Sequence, residues 1–256
     1  MLGIYFSGTG NSKYALEIFL QHFDISAKAV SIEDEMVLEA IKEQQEIVFA
    51  YPVQYSSIPK ILYDFITEHE ELWKDKSVFV IATMVLFSGD GAGMLARLLK
   101  RYGARIIGGM HLKMPDSIAD EKALKRPLEE NKRLIAKAEE KIKRATVRIK
   151  EGNPPKEGLG FHSYLAGVFG QRLYFGHKTK HYTDKLKIDR SRCVGCGKCA
   201  EICPMKNIIV DNGTAEAGDM CTMCYRCINT CPKQAITLLG KKVTEQGMIE
   251  KYLKEI

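Results

Sequence analysis

The chain has 256 residues, of which 45% are hydrophobic and 27% are charged. These values are ordinary for a globular protein with room for two domains, and they exclude disordered, collagen-like and coiled-coil classes. The formal net charge is +6, but the basic excess is local: residues 111–192 carry 20 basic and 11 acidic side chains, whereas residues 1–110 carry 10 and 14. Any functional interpretation of the positive charge therefore applies to residues 111–192 and not to the whole chain.

The first part of the chain alternates short apolar runs with amphipathic segments. Such a pattern predicts a parallel sheet covered by helices on both faces, which is a doubly wound α/β fold. A Lys/Glu/Ala-rich segment at 117–150, with Pro127 at or near its start, is predicted to be the last helix of this part. The predicted strands are 2–6, 28–32, 46–51, 77–82 and 104–111, and the predicted helices between them begin near Tyr14, Met36, Ile58 and Gly91.

The pattern predicts four regions, which are 1–150, 151–186, 187–240 and 241–256. The first is the α/β domain, and the second is an aromatic-rich linker that either packs between domains or covers a cofactor. The third is a small cysteine-bearing domain, and the fourth is a short C-terminal helix over Thr244–Ile256. The basic excess before 192 indicates a solvated helix face or a docking face for an acidic protein. Nucleic acid is not expected, because no aromatic residues alternate with this charge.

The distribution of the cysteines indicates metal binding. All eight cysteines lie between Cys193 and Cys231. The N-terminus lacks the features of a secretory signal, and the longest apolar stretch, Val78 to Phe87, is too short to span a bilayer. We therefore expect a cytoplasmic protein that does not bind membranes. Crowded cysteines in such a protein indicate metal binding rather than disulfides.

The cysteines form an internal repeat. The run C-x-x-C-x-x-C-x-x-x-C-P begins at Cys193 and again 28 residues later at Cys221. This is the bacterial iron–sulfur run, in which the fourth cysteine ligates the other cluster. A structural zinc site needs only four cysteines and does not explain two such runs. The predicted ligands are Cys193, Cys196, Cys199 and Cys231 for one 4Fe-4S cluster, and Cys221, Cys224, Cys227 and Cys203 for the other.

Glycines within the first run, Gly195 and Gly197, let backbone N–H groups approach the sulfur atoms. Over residues 187–240 the module resembles a bacterial ferredoxin with two 4Fe-4S clusters.

The loop after the first predicted strand is rich in hydroxyl groups and precedes a helix. Backbone N–H groups and hydroxyls at a helix N-terminus can bind a phosphate without Lys or Arg. The loop lacks the Gly-Lys-Ser/Thr ending of a P-loop and does not match the G-x-G-x-x-G dinucleotide motif. A helix cap with a tight turn is the alternative. The residues of this candidate phosphate loop are Ser7, Gly8, Thr9, Gly10, Asn11 and Ser12.

Two further loops follow later strands and reach the same sheet edge, where doubly wound folds bind ligands. Their aromatic residues are available to flank a planar ring, although each could equally be an ordinary loop anchor. The candidate ring contacts are Pro52, Val53, Gln54 and Tyr55 in one loop, and Thr83, Met84, Phe87, Gly89 and Gly91 in the other.

Together the three loops resemble those of flavodoxin over roughly residues 1–150. The resemblance implies FMN, with its phosphate on the first loop and its isoalloxazine ring between the other two. The whole chain resembles flavodoxin–ferredoxin fusion proteins of anaerobic bacteria and archaea. It implies a five-stranded parallel doubly wound flavodoxin-like sheet followed by a small α+β ferredoxin-like domain with two 4Fe-4S clusters.

The expected function is electron transfer between the clusters and FMN, and onward to redox partner proteins such as ferredoxin-linked oxidoreductases. Two alternatives stay open. The flavin could reduce a small molecule, such as a quinone, a nitro compound or oxygen, or the chain could be a redox-sensing or assembly subunit of a larger complex. No catalytic residue is predicted, because His162, His177 and His181 are more typical of surface or packing positions.

Overall fold

The computed structural model describes residues 1–86, 89–169, 173 and 180–254. The chain divides into two compact units, each built from more than one stretch. The first, here called the sheet unit, comprises Met1–Ser7, Asn11–Met114 and Arg133–Lys180. The second, here called the cysteine unit, comprises Gly8–Gly10, Pro115–Lys132 and His181–Ile256.

The sheet unit is built on five strands that all pair in parallel, in the order β2-β1-β3-β4-β5. The central strands β3 and β4 are apolar and buried over most of their length, because helices cover both faces of the sheet. This confirms the predicted doubly wound fold. The strands are β1 Leu2–Tyr5, β2 Lys28–Ser31, β3 Glu46–Pro52, β4 Ser77–Met84 and β5 Arg105–Lys113.

Helices connect and follow these strands. A short 3-10 turn at Glu70–Trp73 places the chain's single Trp, Trp73, in the core with no exposed surface. Among the described residues no helix is long and apolar enough to cross a membrane. The helices are α1 Asn11–Phe23, α2 Val37–Glu43, α3 Lys60–Glu68, α4 Gly91–Arg101, α5 Leu128–Lys150 and α6 Phe161–Gly167.

Helix α5 begins at Leu128, which confirms the predicted position of Pro127 at its start, and the part of the 117–150 segment before Pro127 is not helical. Pro127 has no N–H group and precedes the first turn, where its carbonyl accepts from Glu130 and Asn131. Upstream, the Asp116 carboxylate accepts the Ile118 N–H at 3.1 Å, which is a turn rather than a helical bond.

The face that α5 buries explains its charge. Ile135, Ala138, Ile142 and Ala145 are buried, whereas Val147 is half-exposed. Most basic side chains of α5 are exposed, which agrees with a solvated helix face, whereas Lys141 bonds the His111 carbonyl and Glu157. Those exposed basic residues are Arg133, Lys137, Lys143, Arg144, Arg148 and Lys150.

The described part of the cysteine unit contains two small antiparallel pairs and three short helices. β6 Lys187–Ile188 pairs with β9 Ile236–Thr237, and β7 Ile208–Asp211 pairs with β8 Thr214–Ala217. The helices are α7 Lys198–Glu201, α8 Arg226–Thr230 and α9 Glu250–Leu253.

The C-terminal helix is shorter than the predicted Thr244–Ile256. The N–H groups of Thr244 and Glu245 both donate to the Ala119 carbonyl, so that stretch is held in an extended connection instead.

Two buried polar side chains tie the segment Pro115–Lys132 into the cysteine unit. One Asp120 carboxylate oxygen accepts three consecutive N–H groups, from Leu238 at 2.6 Å, Leu239 at 2.9 Å and Gly240 at 3.0 Å. Hydrogen bonds to an ionised acceptor are the stronger kind, and three of them hold this turn in one conformation. The connector after β5 is therefore a structural part of the cysteine unit.

The second of these side chains is Asn229, which lies between two cysteines of the second run. Its amide donates to the carbonyls of Ser117 and Tyr225, both at 2.9 Å, and its oxygen accepts the Gly247 N–H at 2.7 Å. Three distant stretches of the chain are thereby joined through one buried amide.

A half-buried histidine is expected to make the sheet unit sensitive to acid. The Ala92 N–H, at the start of α4, donates to His111 Nε2 at 3.1 Å, so that nitrogen must be unprotonated. Burial lowers the pKa of His111, and Lys141 adds to this, whereas Glu157 and Asp90 act in the opposite direction.

We expect the free energy of unfolding of the sheet unit to fall as the pH drops below about 6.5, where the unfolded chain binds a proton that folded His111 excludes. The slope from this one group is at most about 1.4 kcal/mol per pH unit. Urea unfolding followed by Trp73 fluorescence at pH 7.5 and 5.5 measures it. His111→Gln should reduce the difference between the two pH values, and an unchanged difference would contradict this role for His111.

Candidate functional site

The predicted ligand loops of the sheet unit follow strands β1, β3 and β4, and their ends meet. Ser12 Oγ and Thr83 Oγ1 are 2.7 Å apart, and the Val53 N–H donates to the Thr83 carbonyl at 2.9 Å. Parallel strands bring their carboxyl ends to one edge, so the order β1-β3-β4 places these loops side by side. Thr83, predicted as a ring contact, is thus bonded to the phosphate loop.

The phosphate loop has the donors that a phosphate monoester needs. The side chains of Ser7, Thr9 and Ser12 are buried, and α1 begins directly after Gly10, which has φ +90°. In the hydroxyl pair of Ser12 and Thr83 either oxygen can be the donor. The Thr83 hydroxyl also donates to the Tyr51 carbonyl at 3.4 Å, and in that arrangement the Ser12 hydroxyl donates to Thr83. The backbone N–H groups at the positive end of α1, beside these hydroxyls, are the donors that fit the phosphate of FMN.

Packing within the cysteine unit also explains two glycines of this loop. A Cβ at Gly8 would lie 1.9 Å from the Cys224 carbonyl oxygen, and one at Gly10 would lie 2.3 Å from Ile249 Cγ2. The Ile249 N–H donates to the Thr9 carbonyl at 2.9 Å, and the Thr9 and Ser117 hydroxyl oxygens are 2.7 Å apart. Gly8–Gly10 are therefore shaped by protein contacts as well as by any ligand. Sequence reasoning missed Ser117, because nothing local distinguishes it.

The loop after β3 contains a strained turn. Tyr55 and Ser56 have φ values of 46° and 55°, which is the left-handed region. Gln54 and Ser57 close this turn with two backbone hydrogen bonds, of 3.0 Å and 2.7 Å. Two-residue turns of this kind usually take Asn or Gly at these positions. Strained non-glycine residues concentrate at functional sites, which supports the prediction that this loop contacts a ligand.

The loop after β4 has less free space around its glycines than a ligand-binding loop would need at each of them. A Cβ at Gly89 would lie 2.3 Å from the Gly167 Cα in α6, so backbone already occupies that space. Gly91 begins α4, and its carbonyl accepts the Tyr51 hydroxyl at 2.6 Å. The Met84 carbonyl accepts the Met114 N–H at 2.9 Å. Phe87, also a predicted ring contact, lies outside the described residues.

The eight cysteines line two hollows in the cysteine unit. Both have a volume of about 380 Å³, and each is lined by three cysteines of one run and the fourth cysteine of the other. Among the described His, Cys, Asp and Glu side chains, no group of three or more is arranged to hold a single metal ion. The first hollow contains Cys193, Cys196, Cys199 and Cys231, and the second contains Cys203, Cys221, Cys224 and Cys227.

The two cysteine loops share a backbone conformation although their residues differ. Gly195 and Gly197 have φ values of 63° and 76°, and at the matching positions of the second run Met223 and Tyr225 have 56° and 64°. Sequence reasoning identified the glycines but missed Met223 and Tyr225, since neither residue type signals a left-handed backbone.

Backbone N–H groups also approach sulfur. The first and last cysteines of each run, which are four of the eight, accept a backbone N–H at 3.4 Å, and the donor and acceptor pairs are Ala215 to Cys193, Asn207 to Cys203, Met223 to Cys221 and Ala235 to Cys231.

Burial keeps several of these thiols protonated in the protein alone. It raises the pKa of Cys224 to about 12, and it also raises the pKa values of Cys199, Cys221 and Cys227. Neighbouring cysteines add to the increase for Cys227, because several negative thiolates are costly in one place. Four sulfur donors around an apolar hollow suit a cationic iron–sulfur core, which supplies the positive charge that thiolates need. The donor sets therefore fit iron–sulfur clusters.

The described histidines and aromatic residues of the segment 161–182 belong neither to the candidate phosphate and ring loops nor to the cysteine hollows. His162 and His181 are exposed, and His177 lies outside the described residues. In the aromatic-rich segment, Phe161 and Phe169 are largely exposed, and Tyr164 stacks on the Arg97 guanidinium at 4.9 Å within the sheet unit.

Two glycines of the first run provide a matched pair. Both have positive φ, but a Cβ at Gly195 would lie 2.3 Å from the Gly213 carbonyl oxygen, whereas at Gly197 it would meet nothing within 4 Å. We expect Gly197→Ala to cost only about 1–2 kcal/mol of backbone strain and to keep its cluster. Gly195→Ala should displace the β7–β8 turn and lower iron content. Iron analysis and visible absorbance measure both, and equal iron loss would contradict the steric explanation.

Comparison with known proteins agrees with this division. A family model described as a flavodoxin domain matches residues 2–106, and a model described as a 4Fe-4S dicluster domain matches residues 185–246. The ferredoxin of Methanothermococcus thermolithotrophicus is 38% identical over 57 residues, which cover 21% of this chain and 95% of that protein. An uncharacterized ferredoxin of Methanocaldococcus jannaschii is 38% identical over 59 residues, covering 21% and 77%.

Other similarities are more partial. UacF of Escherichia coli is 29% identical over 76 residues, but the match covers only 12% of that protein and 28% of this chain. Among solved structures, the two-electron reduced flavodoxin of Megasphaera elsdenii is 22% identical, with a TM-score of 0.41, and covers 45% of this chain and 89% of its own.

Proposed function

The chain belongs to the flavodoxin–ferredoxin fusion proteins, which are electron-transfer proteins, and we propose that it passes electrons between two 4Fe-4S clusters and FMN. From there electrons would pass to redox partner proteins, such as ferredoxin-linked oxidoreductases of anaerobic metabolism. FMN supplies two-electron chemistry that can also proceed one electron at a time, whereas each cluster supplies one electron.

One observation carries the proposal. The cysteines divide into two hollows with four cysteines each, and in each the fourth cysteine comes from the other run. Two equal sets of four thiols call for two groups of the same kind, and the exchanged fourth cysteine is the arrangement of two-cluster ferredoxins.

The chain's own residues hold, position and shield these groups. Cys193, Cys196, Cys199 and Cys231 would hold one cluster, and Cys203, Cys221, Cys224 and Cys227 the other. Ile188 and Ile236 line the first hollow, and Ile228 and Leu238 line the second, so apolar side chains limit water around both. Limited water and backbone N–H groups near sulfur tune a cluster's potential in opposite directions.

The FMN phosphate would be held by the loop Ser7–Ser12, with Thr83 orienting the Ser12 hydroxyl. The strained turn at Tyr55 and Ser56 would lie beside the ring.

The direct test is kinetic. The reconstituted protein would be reduced without oxygen and mixed in a stopped-flow instrument with oxidised ferredoxin, and separately with quinones, nitro compounds or oxygen. Rapid exchange with the protein partner and slow, non-saturating reaction with small molecules is the expected result. Saturable turnover of a small molecule would instead assign the chain to the flavin-dependent reductases, and absence of flavin would remove the FMN half of the proposal.

Crossed ligation makes a separate prediction. A chain with both clusters should hold about eight irons, and replacing one ligand should remove about half. Cys231 belongs by sequence to the second run but lines the first hollow. The electron paramagnetic resonance spectrum of Cys231→Ala should therefore match that of Cys193→Ala. Cys203→Ala should match Cys221→Ala for the same reason. If Cys231→Ala instead matches Cys221→Ala, each run holds its own cluster and the assignment is wrong.

A further inference from the structure

The internal repeat places different residues directly after its two leading cysteines. Val194 follows Cys193, and Thr222 follows Cys221. Valine and threonine have nearly the same shape, so the chief chemical difference is one hydroxyl group. Their surroundings also differ, since Val194 is 57% exposed and Thr222 is 2% exposed.

The Thr222 hydroxyl is buried without a partner. Its Oγ1 makes no hydrogen bond to any described residue. An unsatisfied buried hydroxyl costs free energy, and such groups are rare in folded proteins. A group of this kind is explained when a ligand that the chain is built to hold supplies the missing partner.

Thr222 lines the second hollow together with the four cysteines and apolar side chains, among them Leu186, Ile228 and Leu238. Tyr225, whose hydroxyl could accept, also lies on this lining but makes no hydrogen bond to Thr222. The Asn207 amide, also on the lining, is already engaged, because its oxygen accepts the Met220 N–H at 2.7 Å and its nitrogen donates to the Gly218 carbonyl. Arg226 is a donor and cannot accept a hydrogen bond.

We propose that the Thr222 hydroxyl donates a hydrogen bond to a sulfur atom of the cluster in the second hollow and thereby favours the reduced state of that cluster. The inference rests on the proposed function, because it requires a cluster at Cys203, Cys221, Cys224 and Cys227. Reduction adds one electron to the cluster and transfers no proton, since the hydrogen stays on Thr222. The more negative reduced cluster is the better acceptor, so the bond strengthens on reduction.

The two clusters are then expected to differ in reduction potential, because only one of them receives this hydrogen bond. Only the second run carries the buried hydroxyl, and its Cys224 also packs against Gly8 of the phosphate loop. Thr222 thus favours reduction of the cluster in the second hollow, whose cysteine loop contacts Gly8 through Cys224.

The test uses the same repeat as its control. Thr222→Val gives the second run the residue of the first, and Thr222→Ser keeps the hydroxyl. Potentiometric titration of the intact holoprotein, followed by electron paramagnetic resonance, measures each cluster's reduced fraction. At a fixed potential, Thr222→Val should lower the reduced-to-oxidised ratio of one cluster by about three- to tenfold, whereas Thr222→Ser should stay near the wild-type ratio.

Val194→Thr and Thr222→Ala complete the design. Val194→Thr should leave the Thr222-sensitive cluster unchanged, and Thr222→Ala should repeat the decrease if the valine variant assembles poorly. Unchanged ratios in both Thr222→Val and Thr222→Ala, with full iron content, would overturn the role of Thr222 alone. Wild-type protein that assembles no clusters would instead overturn the proposed function.

Discussion

The structure of the cysteine unit depends on one geometric constraint, which is that a tight loop can direct three thiols at a common centre but not four. The fourth thiol must come from elsewhere, and here each run supplies it to the other, through Cys203 and Cys231. This exchange makes the two hollows interdependent. The buried Asn229, two residues before Cys231, extends the dependence to Ser117 and Gly247. The loop after β5 and the C-terminal segment are therefore part of the same unit.

The repeat also shows that one backbone conformation can be reached with different residues. The first run uses Gly195 and Gly197 at its left-handed positions, and the second uses Met223 and Tyr225. Left-handed backbone is strained for residues with a side chain, by about 1–2 kcal/mol each. Both Met223 and Tyr225 are buried, and the apolar area that they bury offsets that strain. The two cysteine loops therefore share a backbone conformation, while their different side chains give the two hollows different polarity and burial.

Much of the fold was predictable from sequence. The five strands and their parallel pairing follow from apolar runs of strand length separated by helical periodicity, and these patterns are local. The start of α5 was predictable as well, because Pro127 marks it locally. The C-terminal helix was predicted too long, because a distant contact overrides the local pattern: the N–H groups of Thr244 and Glu245 bond the Ala119 carbonyl instead.

The sequence by itself determined the two families that this protein combines, flavodoxin and 4Fe-4S ferredoxin, because the hydroxyl-rich loop and the cysteine spacing are properties of short, continuous stretches. Only the tertiary structure decided which cysteines share a hollow, why Gly8 has no side chain, and that Thr222 lacks a partner while Val194 is exposed. Each of these depends on atoms brought together from distant positions. Spacing along a chain specifies which groups are available, whereas packing specifies which of them meet.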